Sequence, residues 1–393
     1  MTAFWYVVLG VLALATVPGT IELLLVTLAG ALPRRRRPAP AALPGAAVVI
    51  PAHDEESGIA RTVLSLRQSE SGAPAPRIVV IADNCSDSTA ARAREAGAEV
   101  FERRDELRRG KGFALDFAFR LLLQEPIDGF IIVDADSVVD PGTIEELRRH
   151  MAAGADAVQC RYAVGNPQAS TRTRLMQVAL WGFNVLRPRG RDRLGLSCGI
   201  LGNGFALTRE TLLAVPYEAR SVVEDLEYHL RLVRAGRRVR FADAATVRGE
   251  MPTAGKGVAT QRSRWEGGRL RMLGEWGPWL VRQIAARQWR LIEPLLDLLL
   301  LPLAFHVFLL LLTLAPPIAA GRVYAAGALA VVGVHILVAV WRGGGGWREL
   351  AALASAPFYI LWKLTLVGSL LRSARRDASW VRTAREGAAQ GKP

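Results

Sequence analysis

The chain has 393 residues, enough for two or more domains, and 51% of them are hydrophobic although 22% are charged. With a positive mean hydropathy, that mixture points to membrane segments attached to a polar body rather than to a soluble globule. The formal charge of +14 comes largely from Arg clusters that flank apolar runs, and no nucleic-acid motif accompanies them. Membrane placement and an anionic substrate therefore explain it, and nucleic acid is excluded as partner.

Residues 3–32 are apolar except for Glu22 and exceed the ~20 residues that cross a bilayer. Ala29-Gly30-Ala31 resembles a signal-peptidase site, but no basic region precedes the run. Arg34 to Arg37 follow at once. By the positive-inside rule they predict an uncleaved anchor over 1–33 with its N-terminus outside. Pro18-Gly19 predicts a kink. A charge inside the membrane is costly, so Glu22 either meets a lipid-borne substrate or partner helix, or is protonated or snorkelling. A basic, Pro-rich linker covers 34–45.

The pattern then alternates: strand 46–50, helix 58–69, strand 77–82, helix 88–96, strand 98–101, helix 112–123 and strand 129–133. Such alternation predicts a mostly parallel sheet, which binds ligands beyond the C-terminal ends of its strands. Further strands are expected at 156–162, 202–207 and 237–243, and helices at 171–186, 221–235 and 258–273. Trp276, Trp279 and Trp289 suggest an interfacial segment over 276–297. Two uncharged apolar runs, 298–320 and 323–341, read as membrane spans, with His306 and His335 packed between helices. Residues 357–371 read as an interfacial or re-entrant helix ahead of a basic cytoplasmic tail that includes Arg375 and Arg376. The three widely spaced cysteines, Cys85, Cys160 and Cys198, read as reduced thiols.

The loops after the strands hold the candidate chemistry. Pro51-Ala52-His53-Asp54-Glu55-Glu56 follows the first strand, and Asp83-Asn84-Cys85-Ser86-Asp87 the second. Gly110-Lys111-Gly112 opens a helix, and Asp134-Ala135-Asp136 follows the fourth strand. In extended chain, positions i and i+2 face the same way, so Asp134 and Asp136 can address one cation together. Mg²⁺ takes one or two carboxylates plus substrate phosphates. Gly-Lys-Gly at a helix N-terminus suits a phosphate. Solvated turns rich in Asp and Ser are the bland alternative. Ser221 and Glu224 have capping-box spacing, which accounts for Glu224 better than for Asp225. Gln261, Arg264 and Trp265 fall at i, i+3 and i+4 on one helix face.

Taken together, these motifs resemble a membrane-bound family 2 glycosyltransferase of the GT-A fold, a group that includes cellulose, chitin, hyaluronan and poly-N-acetylglucosamine synthases. Ceramide glucosyltransferases are similar too. The resemblance covers about 46–275. It implies an α/β, Rossmann-like cytoplasmic domain between N- and C-terminal transmembrane helices, in a multi-pass inner-membrane protein. It implies that Asp83 hydrogen-bonds the uracil of a UDP-sugar, that Pro51, Ala52 and Glu55 line the base pocket, and that Lys111 lies near the phosphates. Asp134 would meet the ribose or sugar, Asp136 the Mg²⁺ or Mn²⁺, and Asp225 would be the general base. Gln261, Arg264 and Trp265 would hold the diphosphate and the acceptor. A single base and no covalent nucleophile imply inversion and a β-linked product on a lipid or glycan acceptor. The first loop departs from the family pattern by carrying His53-Asp54 where Tyr-Asn or Phe-Asn is usual, and Val223 stands before Glu224-Asp225 where Thr is usual. About three spans are few for a polymer pore without a homo-oligomer or an export partner, so single transfer and processive synthesis both stay open. A non-catalytic sugar-nucleotide sensor or scaffold on the same fold is the reading from another class.

Overall fold

The computed structural model describes residues 2–33, 42–69, 73–218, 221–253 and 256–374. Arg34 to Arg37, and the tail with Arg375 and Arg376, lie outside the described residues. In chain order the elements begin with α1 (Thr2–Ala31), β1 (Ala46–Ala52), α2 (Ile59–Gln68), β2 (Arg77–Asp83), α3 (Thr89–Glu95), β3 (Glu99–Arg103), α4 (Lys111–Leu122) and β4 (Gly129–Ile132). Then come β5 (Ser137–Val139), α5 (Thr143–Ala152), β6 (Ala157–Val164), α6 (Thr171–Leu180), a π-helical turn (Trp181–Leu186), α7 (Arg187–Arg193), β7 (Phe205–Thr208), α8 (Arg209–Ala214), α9 (Glu224–Arg234) and β8 (Val239–Gly249). The remainder is helical: α10 (Lys256–Ala285), α11 (Ile292–Leu299), α12 (Leu303–Thr313), α13 (Ala319–Gly343), α14 (Trp347–Ala352), α15 (Ala356–Leu364) and α16 (Val367–Ser373).

The chain forms two compact units: Pro33–Pro167 with Ser197–Met251, and Met1–Leu32 with Gln168–Leu196 and Pro252–Pro393. The expected 46–275 domain contributes residues to both units. Residues 168–196 and 252–275 group with the helices, because α7 packs on α1 and α10 packs on α11 and α16.

The first unit holds one eight-stranded sheet in the order β3-β2-β1-β4-β7-β6-β8-β5. β1 to β4 run parallel, while β7 is antiparallel to both β4 and β6. Successive residues of β1 go to opposite faces. Ala47 and Val49 join Val79, Ile81, Phe130 and helix residues Leu115 and Phe119, while Val48 and Ile50 join Val80, Ile131, Ile59, Val63 and Leu147. Both faces are covered, which is why these strands read as unbroken apolar runs instead of alternating ones. The chain leaves β1 toward β2 and β3 on one side and reaches β4 on the other, so the space beyond β1 and β4 is the topological switch point.

In the helical unit, Ala3–Ala31 and Ala319–Gly343 are long and apolar enough to cross a membrane. α1 continues through Pro18 as one helix. Over the expected span 298–320 the helix is broken: α11 and α12 bend by 83° at the break between them, where Leu300 and Pro302 are extended. Pro302 lacks an N–H to continue the ladder. Likewise 357–371 is two short helices, α15 and α16. His306 and His335 pack against α1, bonding Thr20 Oγ1 at 3.2 Å and Thr27 Oγ1 at 2.7 Å. The three cysteines are free thiols.

Glu22 is neither snorkelling nor alone. Its Oε1 accepts from Arg187 Nη2 at 2.7 Å and Arg191 Nη2 at 2.6 Å. Both arginines also reach Asp297, which Arg269 approaches at 3.1 Å. All but Arg269 are buried. Removing one partner of such a network strands the others, at a cost of about 3–5 kcal/mol. Glu22→Ala is therefore expected to lower the thermal unfolding temperature of the purified full chain in detergent, with Glu22→Gln recovering part of the loss. An unchanged unfolding temperature would show that the network does not hold these helices.

Candidate active site

The loops after β1 and β2 are stapled together, and most of their acids are used for this. His53 Nδ1 bonds Asp83 O at 2.7 Å. Asp54 Oδ1 accepts from Ser86 N at 2.7 Å, and Asp87 Oδ2 from Glu56 N at 3.1 Å. Ser88 N donates to Glu56 Oε2 at 3.1 Å, and Thr89 Oγ1 receives Glu55 N at 2.7 Å. This rigid pair of loops sets Pro51 and Ala52 at the end of β1, registered against Ile81 and Ala82. Asp83 closes β2 and is buried; its Oδ1 accepts from Arg103 Nη1 at 2.5 Å and from Asn84 Nδ2 at 3.0 Å. Arg103 closes β3 and belongs to none of the candidate runs in the sequence. The signal is in the register, where Asp83 and Arg103 are paired across the sheet.

The switch point gathers a second cluster. Lys111, first residue of α4, donates from Nζ to both Asp134 Oδ1 and Gly202 O. Burial alone would lower its pKa, but Asp134, Glu224 and Asp225 outweigh that and hold it above the ordinary value. The lysine is thus a cation fixed among acids. The Asp134 amide donates to Asn203 Oδ1 at 3.1 Å, and Asn203 Nδ2 reaches Ser137 Oγ at 2.8 Å. Gln159 clamps the same loop, donating to Asn203 O at 2.8 Å and accepting from Leu201 N at 2.8 Å. Gly202 has φ +79°, and a Cβ there would lie 2.9 Å from Asp225 Oδ2. Only glycine allows the carboxylate this approach without strain. Asn203, Gly202 and Gln159 are site-forming residues that the sequence reading passed over; the Gly-Asn-Gly turn was the available sign.

α9 begins at Glu224, and its N-cap, Val223, makes no side-chain cap bond. The expected Ser221–Glu224 capping box is therefore absent; Ser221 N instead donates to Glu227 Oε2 at 2.9 Å. Burial first, and the neighbouring Asp225 second, push the Glu224 carboxyl up to about 7. Asp225 Oδ1 accepts from Leu226 N at 2.8 Å. Behind the pair lies buried Tyr217, packed on Phe119 and Tyr228 with ring centroids at 5.6 and 4.4 Å. Burial and the two acids hold its hydroxyl protonated, well above the usual range.

Asp136 follows Asp134 on the same loop, half-buried, with Ser137 Oγ at 3.4 Å from its Oδ1. A hard carboxylate oxygen beside the switch point fits Mg²⁺ or Mn²⁺, which accept few protein oxygens and complete their shell with phosphates and water. Asp54, Cys85 and Asp87 also lie close enough together to share an ion. They fit less well: burial raises the Cys85 thiol, a soft donor unsuited to these ions, and both acids already cap backbone amides. Gln261, Arg264 and Trp265 lie on the uninterrupted helix α10 of the helical unit, at the spacing expected of one face.

Residues 44–268 match the sequence model of the family described as Glycosyltransferase like family 2. The chain is 26% identical over 235 residues to YdaM of Bacillus subtilis, a probable glycosyltransferase, covering 58% of this chain and 55% of that protein. It is 27% identical over 271 residues to the beta-monoglucosyldiacylglycerol synthase of Trichormus variabilis, covering 67% of this chain and 57% of that protein. The chain therefore spans little more than half the length of these curated relatives. Among solved structures, the mannosyltransferase PcManGT of Pyrobaculum calidifontis, in complex with GDP-Man and Mn²⁺, shares the fold with a TM-score of 0.55 over 94% of this chain and 97% of that one, at 17% identity.

Proposed function

The chain belongs to glycosyltransferase-like family 2, and from that premise we propose that it moves a sugar from a nucleoside diphosphate donor, a UDP-hexose or UDP-N-acetylhexosamine, to a lipid acceptor at the cytoplasmic membrane surface, with inversion and a β-linkage. The observation that carries this reading is the cluster at the switch point, where Lys111, Asp134 and Asp225 converge on the Gly202 turn.

Asp225 takes the proton of the acceptor hydroxyl as the new glycosidic bond forms. A poor nucleophile needs such a base, and general-base help is worth about 10²–10⁴ in rate. Burial and the neighbouring Asp225 keep a proton on the Glu224–Asp225 pair up to about 7, so the base is free once that shared proton has left. Lys111 orients Asp134 toward the donor and offsets the acids around it. Asp83, fixed by Arg103, reads the base above Pro51, Ala52 and Glu55. Asp136 would hold Mg²⁺ or Mn²⁺, which when bound neutralises charge on the leaving diphosphate.

Single transfer to a lipid is favoured over polymer synthesis because the relative from Trichormus variabilis is named for a glucosyldiacylglycerol product. Incubating membranes with labelled UDP-glucose, UDP-N-acetylglucosamine and diacylglycerol, then weighing the products by mass spectrometry, tests this. One glycolipid mass supports the proposal, a ladder of masses indicates a polymer synthase, and no product despite donor binding indicates a sensor.

The raised Glu224 pKa has two consequences with defined signs. Between about 4.5 and about 7 the folded state binds a proton the unfolded state has lost, so this group's contribution to stability falls as pH rises through that window. Transfer rate should rise over the same range, with an apparent pKa of about 7 that belongs to the Glu224–Asp225 pair. Glu224→Gln is expected to move this limb to lower pH in a kcat/KM profile. An unmoved limb would remove Glu224 from the coupled pair.

A further inference from the structure

We propose that Arg172 and Arg262, together with Tyr359 and Trp362, form a seat for the phosphate of an anionic membrane-lipid headgroup. The seat lies wholly within the helical unit and does not depend on the transfer reaction. Arg262 is the residue that the Gln261–Trp265 pattern leaves without a role. Its guanidinium lies 5.6 Å over the Trp265 ring. Among the described residues its Nε is buried without a partner, and the hydrogen bond from Nη2 goes to the thioether sulfur of Met176, which is a weak acceptor. Arg172, one turn before Met176 on α6, lies 5.1 Å over the Trp362 ring. Neither arginine has an acid within ion-pair distance among the described residues.

Unpaired, half-buried guanidinium groups are costly unless an anion completes them. The nearby acid is already committed: Glu266 Oε1 pairs with buried Lys363 Nζ at 2.5 Å. Tyr359 stacks beside Trp362 at 5.5 Å and lies within electrostatic reach of Arg172, Arg262 and Glu266. It places a hydroxyl donor in the same neighbourhood. The seat is firmly mounted, since Ser263 and Ser369 bond at 2.8 Å and a Cβ on Gly267 would meet Leu370 O at 2.8 Å.

The chemistry of α15 and α16 says which anion comes. Their outward residues are apolar: Phe358 is 75% exposed, Leu361 60% and Val367 41%. Their inward residues are Tyr359, Trp362 and Lys363. A helix that turns apolar residues outward and polar ones inward suits hydrocarbon on its outer side, with aromatic rings at headgroup level. A phosphate arriving there is one attached to a lipid, and planar guanidinium groups bind phosphate well.

The test is native mass spectrometry of the detergent-purified full chain, offered phosphatidylglycerol or diacylglycerol, with and without UDP. The wild-type chain and Asp225→Asn should both retain phosphatidylglycerol over diacylglycerol, and UDP should not displace it. Arg172→Gln/Arg262→Gln should lower phosphatidylglycerol retention at least about tenfold and leave diacylglycerol unchanged. Equal retention by the double variant overturns the proposal. So does displacement by UDP, which would assign these arginines to the donor's diphosphate. If the double variant loses both lipids or aggregates, the charge-retaining Arg172→Lys/Arg262→Lys chain decides: restored phosphatidylglycerol retention supports the seat, and its absence overturns it.

Discussion

Asp225→Asn is expected to lower sugar transfer by about 10²–10⁴-fold while nucleotide binding stays near that of the wild-type chain. The reasoning is steric as well as chemical. The amide has the size of the carboxylate, so it still fits against Gly202, whose absent side chain gives Asp225 Oδ2 its room. Its oxygen still accepts from the Leu226 amide. What is lost is the capacity to take a proton. A loss confined to the turnover number, with Kd for UDP unchanged in a titration, identifies a base. Near-normal transfer by the variant would take the role away from Asp225.

Asp136→Ala should produce the complementary result. Donor binding in the presence of Mn²⁺ should weaken by about 100-fold or more, since the ion is worth several kcal/mol to a diphosphate. Binding in EDTA should be the same for variant and wild type. Lys111 and Asp134 hold each other whether or not Asp136 is present, so the loop should keep its shape. An equal response of both proteins to Mn²⁺ would place the ion elsewhere, with the Asp54–Cys85–Asp87 group as the next place to look.

Much of the sheet was legible in the sequence for a simple reason. From 46 to 133, apolar runs buried on both faces alternate with helices of one clear face, and the strand ends moved by only a residue or two. The three-residue β5 and the helix α5 were missed. Ser137-Val138-Val139 is too short to show a period, and α5 follows it closely. The Leu298–Ala320 run looked continuous because hydropathy counts Pro302 as nearly neutral, whereas the backbone cannot. Nothing local in the charge-dense Arg187–Arg193 segment marks it as buried. Its burial is intelligible only through Glu22 and Asp297, more than 100 residues away in sequence. The acids of the site were readable as acids, but their division of labour was not. Asp54, Glu56 and Asp87 staple loops, while Asp134 and Asp225 surround a lysine, and only the register and turn geometry separate the two sets. Ser221 and Glu224 illustrate the converse error, in which local spacing suggested a cap that the helix does not use.

The most direct test of the central claim is release of UDP from UDP-glucose or UDP-N-acetylglucosamine by the purified full chain in vesicles containing diacylglycerol. The account predicts release that needs Mn²⁺ or Mg²⁺ and the acceptor lipid, stops in EDTA, and is lost in Asp225→Asn. Tight donor binding with no release from either donor, or release that persists undiminished in Asp225→Asn, would contradict it.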